Sequence, residues 1–419
     1  MNAPDLLRQM FDRAVAVADP MRSLAAHLPP RPAGRVVVIG AGKASARMAE
    51  AVEAAWGPCE GLVITRYGYG RPLQGIELVE AAHPVPDAAG AAATVRMLDL
   101  LGGLGPQDFV LALISGGASA LLCAPVPGVT LAEKQAVNAA LLASGAPISA
   151  MNVVRKHLSL VKGGQLAAAA HPARMLALMI SDIPGDEMAL IGSGPTVGDA
   201  STPEEALALL ARWQVTVPAS VTTALAAGSG VLRPDDPRLA TVENRIIAAP
   251  SQSLAAAQVL AEAAGCQVHL LGDALEGEAR EVAAQQAAGA RAIAATLARG
   301  AAPVVLLSGG ELTVTRRGNG VGGPNAEFCL ALALHLHGYE RIHALACDTD
   351  GVDGAAEVAG ALVTPDTLAR SRRDAAEALA RNDAHSFFAA LGDQVITGPT
   401  LTNVNDFRAI LIEAPPLAE

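Results

Sequence analysis

The chain has 419 residues, 51% of them hydrophobic and 17% charged, with a formal net charge of −11. That length favours two domains, and the apolar content supplies a large interior rather than a disordered chain. The acidity argues against nucleic acid, whose binding rests on neutralised phosphates, and no uncharged apolar run reaches the ~18 residues of a membrane span.

The opening stretch MNAPDLLRQMFDRAV reads as an amphipathic helix with charges throughout, not a signal peptide. Five cysteines without paired spacing fit a reducing, cytoplasmic setting. Apolar runs ending in short polar or glycine-rich loops then recur: RVVVIGAGK, GLVITRYG, DFVLALISGGAS, MLALMISDIPGD, RIIAAPSQS, CQVHLLGD, APVVLLSGGE and IHALACDTDG. Alanine-rich amphipathic stretches such as SARMAEAVEAAW lie between them. Short continuous apolar runs suit strands buried on both faces, so the expected class is α/β, with parallel sheet covered by helices. Residues 201–240 carry proline-marked turns and no buried strand, which sets the expected domains at 1–240 and 241–419. Two short echoes, ISGGASALL with LSGGELTVT and GSGPTVGD with TGPTLTNVND, suggest that both domains offer glycine-serine loops to one cleft.

In a parallel sheet the loops after the strands gather at the carboxyl edge, where ligands bind. Gly40, Gly42, Lys43 and Ser45 occupy one such loop, and Ser115, Gly116, Gly117 and Ser119 another. Either their glycines permit tight turns, or they let backbone N–H groups approach an anion at a helix start. Asp182 and Asp186 lie in SDIPGDE, as Mg²⁺ ligands or as turn formers. Ser308, Gly309 and Glu311 form a further loop, followed by Asp348, Asp350 and Asp353 in DTDGVDG. That last pattern lacks the glutamate of a Ca²⁺-binding EF-hand, and divides between ligand contact and turn chemistry. His83 reads as a loop residue.

Of 30 basic residues only Lys43, Lys134, Lys156 and Lys162 are lysines. In an arginine-using chain a lysine suggests a place that wants a compact ammonium. Lys134, in TLAEKQAVN, reads as an ordinary helix-surface residue.

Taken in order, the segments VIGAGKASARMAEA, AAHPVPD, LISGGASALL, NVVRKHLSLVKGGQLA, SDIPGDEMALIGSGPT, LLSGGELTV, GVGGPNAEF, DTDGVDG and TGPTLTNVNDF resemble the glycerate 2-kinase family with a C-terminal MOFRL domain. The resemblance implies a Rossmann-like, mostly parallel N-terminal domain, a smaller α/β C-terminal domain, and an active site between them. It implies transfer of the γ-phosphoryl group of ATP, with Mg²⁺, to D-glycerate, giving 2-phosphoglycerate; a homodimer is allowed for. Lys43 would neutralise phosphoryl charge, Arg155 or Lys156 would orient a carboxylate or phosphate, and Asp182 or Asp186 would hold Mg²⁺ or accept the hydroxyl proton. Asn325, Glu327, Asp350, Asp353 and Asn405 join the expected binding residues. The family often has arginine where this chain has Pro324.

Some members of the family are labelled hydroxypyruvate reductases, so an NAD(P)H-dependent reductase is the natural alternative. The first turn also matches a dinucleotide fingerprint up to Ser45, which stands where the third glycine belongs, and VITRYGYG ends the second strand without the usual acid. The G-x-G-x-S turn is similar to sugar-phosphate-binding sensors as well, although no basic output helix is visible.

Overall fold

The computed structural model describes residues 2–354 and 356–417. Two compact units result, one of Pro20–Ser181 with Asp186–Ile247, the other of Met1–Asp19, Asp182–Gly185 and Ala248–Glu419. The expected break after residue 240 falls too early, because the strand that follows completes the first sheet. The N-terminal helix also belongs with the C-terminal residues rather than with the 1–240 domain.

In the first unit β1 (Val36–Ala41), β2 (Glu60–Arg66), β3 (Ile76–Ala81), β4 (Phe109–Ile114), β5 (Arg174–Ile180) and β6 (Val242–Ala248) form one sheet in the order β3-β2-β1-β4-β5-β6. The pairings among β1 to β5 are parallel. β1 and β4 are buried along their whole lengths, the pattern of central strands covered on both faces. β3 is missing from the apolar runs above because Glu77 and Glu80 interrupt it, as suits an edge strand. The strand order reverses direction between β1 and β4, the topological switch point at which such sheets open a crevice.

In the second unit β7 (Gln267–Gly272), β8 (Gly277–Glu278), β9 (Val304–Gly309), β10 (Leu312–Thr313), β11 (Ile342–Asp348), β12 (Gly360–Val363), β13 (Gln394–Val395) and β14 (Asp406–Ile412) follow. β8 and β10 pair separately; the main sheet runs β13-β12-β11-β14-β9-β7. Only β7 and β9 are parallel within it; β14 runs antiparallel to both of its neighbours, β9 and β11. The parallel expectation therefore fails here. A strand buried on both faces reads the same in either direction, and helices do cover both faces. Val304, Leu306, Ala344 and Ile410 face the helices Ala279–Thr296 and Pro324–Leu336, whereas Val305, Leu307, Leu345 and Leu411 face Pro250–Ala263 and the N-terminal helix Ala3–Val17. Leu7, Met10 and Phe11 are fully buried in that second layer, which is why the first helix belongs to this unit.

A helical subcluster of the first unit joins Leu131–Ala143, Ile148–His157, Pro203–Arg212 and Ala219–Ala226. A capping box of Thr130 and Glu133 starts the first of these helices. Lys134 is one residue further on, and it is not a surface residue. It is only 3% exposed, and its Nζ donates to the Leu158 carbonyl at 2.9 Å. Burial pulls its ammonium from 10.5 down to about 8.

Below pH 8 the native and unfolded chains both hold the Lys134 proton, and the penalty for burying the charge is fully present. Between about 8 and 10.5 the native lysine is neutral while the unfolded one is still protonated. The unfolded state then binds more protons, so stability rises with pH, by about 3 kcal/mol for a displacement of that size. Urea unfolding between pH 7.5 and 10.5 should show a shallower rise in Lys134→Met than in the wild type; equal slopes would refute this assignment.

Candidate active site

The turn after β1 and the turn after β4 meet at the switch point. Gly42 adopts φ +134°, and a Cβ there would lie 2.1 Å from Ser115 Oγ, so only glycine allows this approach. Across the contact Lys43 N donates to Gly116 O (2.8 Å) and Ala44 N to Ser115 Oγ (3.0 Å). Gly42 N donates to Ile64 O and Ser45 N to Gly42 O, both at 3.1 Å. Every amide from 42 to 45 is thus used inside the protein. Ser45 is fully buried, its Oγ donating to Gly42 O and Ile64 O, and Gly40 lies within β1. Gly40, Gly42 and Ser45, expected to cradle an anion, instead shape the turn.

The second turn is different. Gly116 and Gly117 donate their amides to no acceptor among the described residues. Gly117 is left-handed (φ +83°), a conformation that turns successive N–H groups outward together. A Cβ on Gly117 would lie 3.0 Å from His83 Cδ2 and 3.4 Å from Lys43 Cγ. The half-buried Lys43 side chain therefore runs alongside the open amides, with His83 next to it. Ser115 and Ser119 sit at either end of this turn, Ser115 buried as the acceptor from Ala44 and Ser119 half-buried. His83 was legible only as a loop residue, since its neighbour here is far away in sequence.

The basic pair in RKHLS has other partners. Lys156 Nζ forms an ion pair with Asp199 and is 2% exposed, which removes it from the expected ligands. Arg155 is half-buried, with Nε donating to Asn138 Oδ1 at 3.2 Å, and burial lowers its affinity for its proton.

Asp182 and Asp186 fall in different units. Asn403 Nδ2 donates to Asp182 Oδ2 (3.2 Å) and Asn405 Nδ2 to its carbonyl (3.1 Å). Asn405 thus has a shaping role, reinforced by its own left-handed φ of +69°. Asp186 is also left-handed, at φ +54°, and its buried Oδ1 has no hydrogen-bond partner. A strained non-glycine residue presenting an orphaned carboxylate oxygen is a candidate ligand.

The remaining acids of the second unit mostly build structure. Asp353 is 1% exposed and caps the helix Pro324–Leu336 from outside, accepting from Asn325 N (3.0 Å) and Ala326 N (2.8 Å), while His385 Nε2 lies 3.0 Å from its Oδ2. Glu327 is fully buried between Arg280 Nε (2.6 Å) and Asn382 Nδ2 (3.0 Å), and Asn325 Nδ2 donates to Asp406 Oδ1 at 2.7 Å. Asn325, Glu327 and Asp353 are therefore interior scaffolding rather than exposed ligands. Asp350 accepts from Val352 N at 2.8 Å in an Asx-turn, and Ser308 Oγ accepts from Gln286 at 3.3 Å. Gly309 ends β9, its carbonyl accepting from Arg408 at 2.6 Å, and Glu311 is exposed. Pro324 takes the first position of its helix, where a missing N–H does no harm. The buried pair Asp406–Arg408 is not among the residues expected from the sequence; burial pushes the Asp406 carboxyl up to about 7 against the opposing pull of Arg408. Its only sequence signal was an arginine inside an apolar strand.

Residues 6–226 match the family described as Domain of unknown function (DUF4147), and residues 304–406 match the MOFRL family. A D-glycerate 2-kinase of Thermotoga maritima is 37% identical, over 96% of this chain and 97% of that protein. The Homo sapiens glycerate kinase is 34% identical, over 98% and 94%. An Agrobacterium vitis protein provisionally named hydroxypyruvate reductase is 50% identical, over 98% and 95%. Among solved structures, a Thermotoga maritima glycerate kinase superposes with a TM-score of 0.86 at 35% identity, covering 98% of this chain and 99% of that one. This chain belongs to the glycerate 2-kinase family, a DUF4147 domain joined to a MOFRL domain.

Proposed function

We propose that the protein transfers the γ-phosphoryl group of ATP to D-glycerate, giving 2-phosphoglycerate and ADP, with Mg²⁺ as the assisting ion. The observation that carries this reading is the pairing of Lys43 with the open Gly116 and Gly117 amides at the switch point, in a chain matched along nearly its whole length by a D-glycerate 2-kinase. Phosphoryl transfer asks a protein for positioning and charge neutralisation more than for covalent chemistry. The two amides hold an anionic group. The Lys43 ammonium, a point charge on a flexible stem, meets the negative charge that spreads over the phosphoryl oxygens.

Among the described residues no three acidic, histidine or cysteine side chains gather as a metal cage. Mg²⁺ fits such a chain, because it commonly takes one or two carboxylates and completes its shell with water and phosphate oxygens. The orphaned Oδ1 of Asp186 suits that duty, and the ion when bound neutralises phosphate charge. Asp182, oriented through Oδ2 by Asn403, is assigned to take the proton of the attacking hydroxyl. No helix of the described residues is long and apolar enough to cross a membrane, and five buried free cysteines support a cytoplasmic setting.

The reductase reading draws on the name carried by the Agrobacterium relative. Against it stands the first turn. A dinucleotide pyrophosphate needs the amides of that glycine turn, and here all four are hydrogen-bonded within the protein.

Purified protein with Mg²⁺, ATP and D-glycerate should release ADP, with phosphorus NMR showing the 2-phosphate, while hydroxypyruvate should not oxidise NADH or NADPH. The opposite pair of results overturns the kinase. Lys43→Ala should lower kcat about 10²–10³-fold with far less change in ATP affinity, and Lys43→Arg should recover only part of the rate; near-normal kcat in a folded Lys43→Ala protein would remove the lysine from the mechanism. Asp182→Asn and Asp186→Asn should each lower kcat, about 10²-fold or more for the base. Raised Mg²⁺ should partly rescue Asp186→Asn and leave Asp182→Asn unchanged; the reverse pattern would exchange their roles.

A further inference from the structure

Three segments of the first unit are laced together through Ser119, two residues beyond Gly117. Gly163 N and Gly164 N donate to Ser193 O (3.2 Å) and Gly194 O (2.8 Å), and Leu166 N donates to Pro195 O (3.1 Å). Lys162 Nζ donates to Ser119 O at 2.7 Å and to Ser119 Oγ at 3.2 Å. Ser119 Oγ in turn lies 2.8 Å from Ser193 Oγ. Ser193 is held left-handed at φ +65°, between two left-handed glycines, the kind of strain a site keeps when its surroundings fix it. One ammonium therefore ties the amide-bearing turn to two other loops.

The charge of that ammonium is unusual. Lys162 is 1% exposed, and among the described residues no carboxylate comes within ion-pair reach of it. The groups that face it are Lys134 from one helix, Arg155 and Lys156 from the next, and the Cys123 thiol, whose own proton burial holds more tightly. Lys156 has Asp199, but Lys134 and Lys162 have only neutral acceptors. Buried lysines are ordinarily paired, because an isolated interior charge is expensive. Burial and the neighbouring cations hold the Lys162 proton well below its usual affinity. Lys162 is thus a buried amine without a carboxylate partner, bonded to a residue two positions beyond the open Gly117 amide.

We infer that Lys162 is a positioning residue that fixes Ser119 and supplies the counter-charge for an anionic group seated on the Gly116 and Gly117 amides. This rests on the kinase reading only in naming the anion, which is an ATP phosphate or the glycerate carboxylate. An anion on those amides favours the protonated form of Lys162, so its binding and protonation of the buried lysine are coupled.

The test is calorimetric titration from pH 6 to 9.5 of ATP, D-glycerate and inorganic phosphate, each in two buffers of different ionisation enthalpy. Wild-type protein should take up protons with one of the two substrates, which identifies the anion that occupies the turn. Lys162→Met should lose that uptake and bind the same substrate at least tenfold more weakly, with the other substrate unchanged. Ser119→Ala, which keeps the bond to the carbonyl, should weaken it less. Wild-type affinities in Lys162→Met overturn the inference, and so does equal weakening of both substrates, which marks a general scaffold. Should Lys162→Met not fold, the wild type decides, since proton-neutral binding of both substrates overturns the inference equally. Binding is read without turnover, so failure here and failure of the kinase assay are separate results.

Discussion

Between the ends of β1 and β4 there is no room for a side chain at position 42, and the hydrogen bonding of both turns follows from that close approach. Gly42 lets the turn after β1 fall against Ser115, and the amides of Lys43 and Ala44 then have acceptors in the turn after β4. An N–H group already bonded to a carbonyl or hydroxyl in a buried site has little left for a ligand, and exchanging partners would strand the first acceptor. The amides without an acceptor lie one strand along, at Gly116 and Gly117. Lys43 remains in the first turn because its backbone is the fastening while its side chain reaches the second. The lysine in that turn and the missing third glycine are two aspects of one arrangement.

Charge in this chain is placed with the same economy. Three of the four lysines, Lys134, Lys156 and Lys162, are interior, and each aims its ammonium at a named oxygen. A compact ammonium enters confined space among carbonyls more readily than a planar guanidinium, which fits an otherwise arginine-using chain. In the second unit the buried acids work as fixtures. Asp353 satisfies the first amides of a helix that begins Gly-Pro and lacks a side-chain cap of its own, and Glu327 locks Arg280 and Asn382 into the same core. Such groups are unavailable to substrate, yet removing one would leave its partners unsatisfied in the interior.

The central strands were legible because continuous burial writes continuous apolar runs, as in VVVIGA and FVLALI. The direction of pairing was not. β9 and β11 look like members of a parallel sheet because helices cover both faces, and β14, which lies antiparallel between them in this mixed sheet, carries Arg408 within its apolar run. The first helix showed its amphipathic pattern plainly, but a pattern shows that a face is buried and not what buries it. For the site, the loops that carry glycine and serine were identifiable and their division of labour was not. DTDGVDG has the spacing of ligands and yields a helix cap and Asx-turns, because a carboxylate accepting backbone N–H groups leaves the same trace as one facing a cation.

Relatives of this chain carry both kinase and reductase names. The strand order β3-β2-β1-β4-β5-β6 presents a crevice suited to phosphate whether the phosphate belongs to a dinucleotide or to a group in transfer. Topology alone does not separate the two. What distinguishes this chain is local: the amides from Gly42 to Ser45 are all bonded within the protein. The Ser45 hydroxyl also donates to Gly42 O and Ile64 O, and Thr65 adds a further bond to Gly42 O at 3.1 Å. Three hydroxyl contacts fasten the turn to β2. The turn that most resembles a dinucleotide site has its amides bonded within the protein, and the open amides lie beside Lys43 in its neighbour.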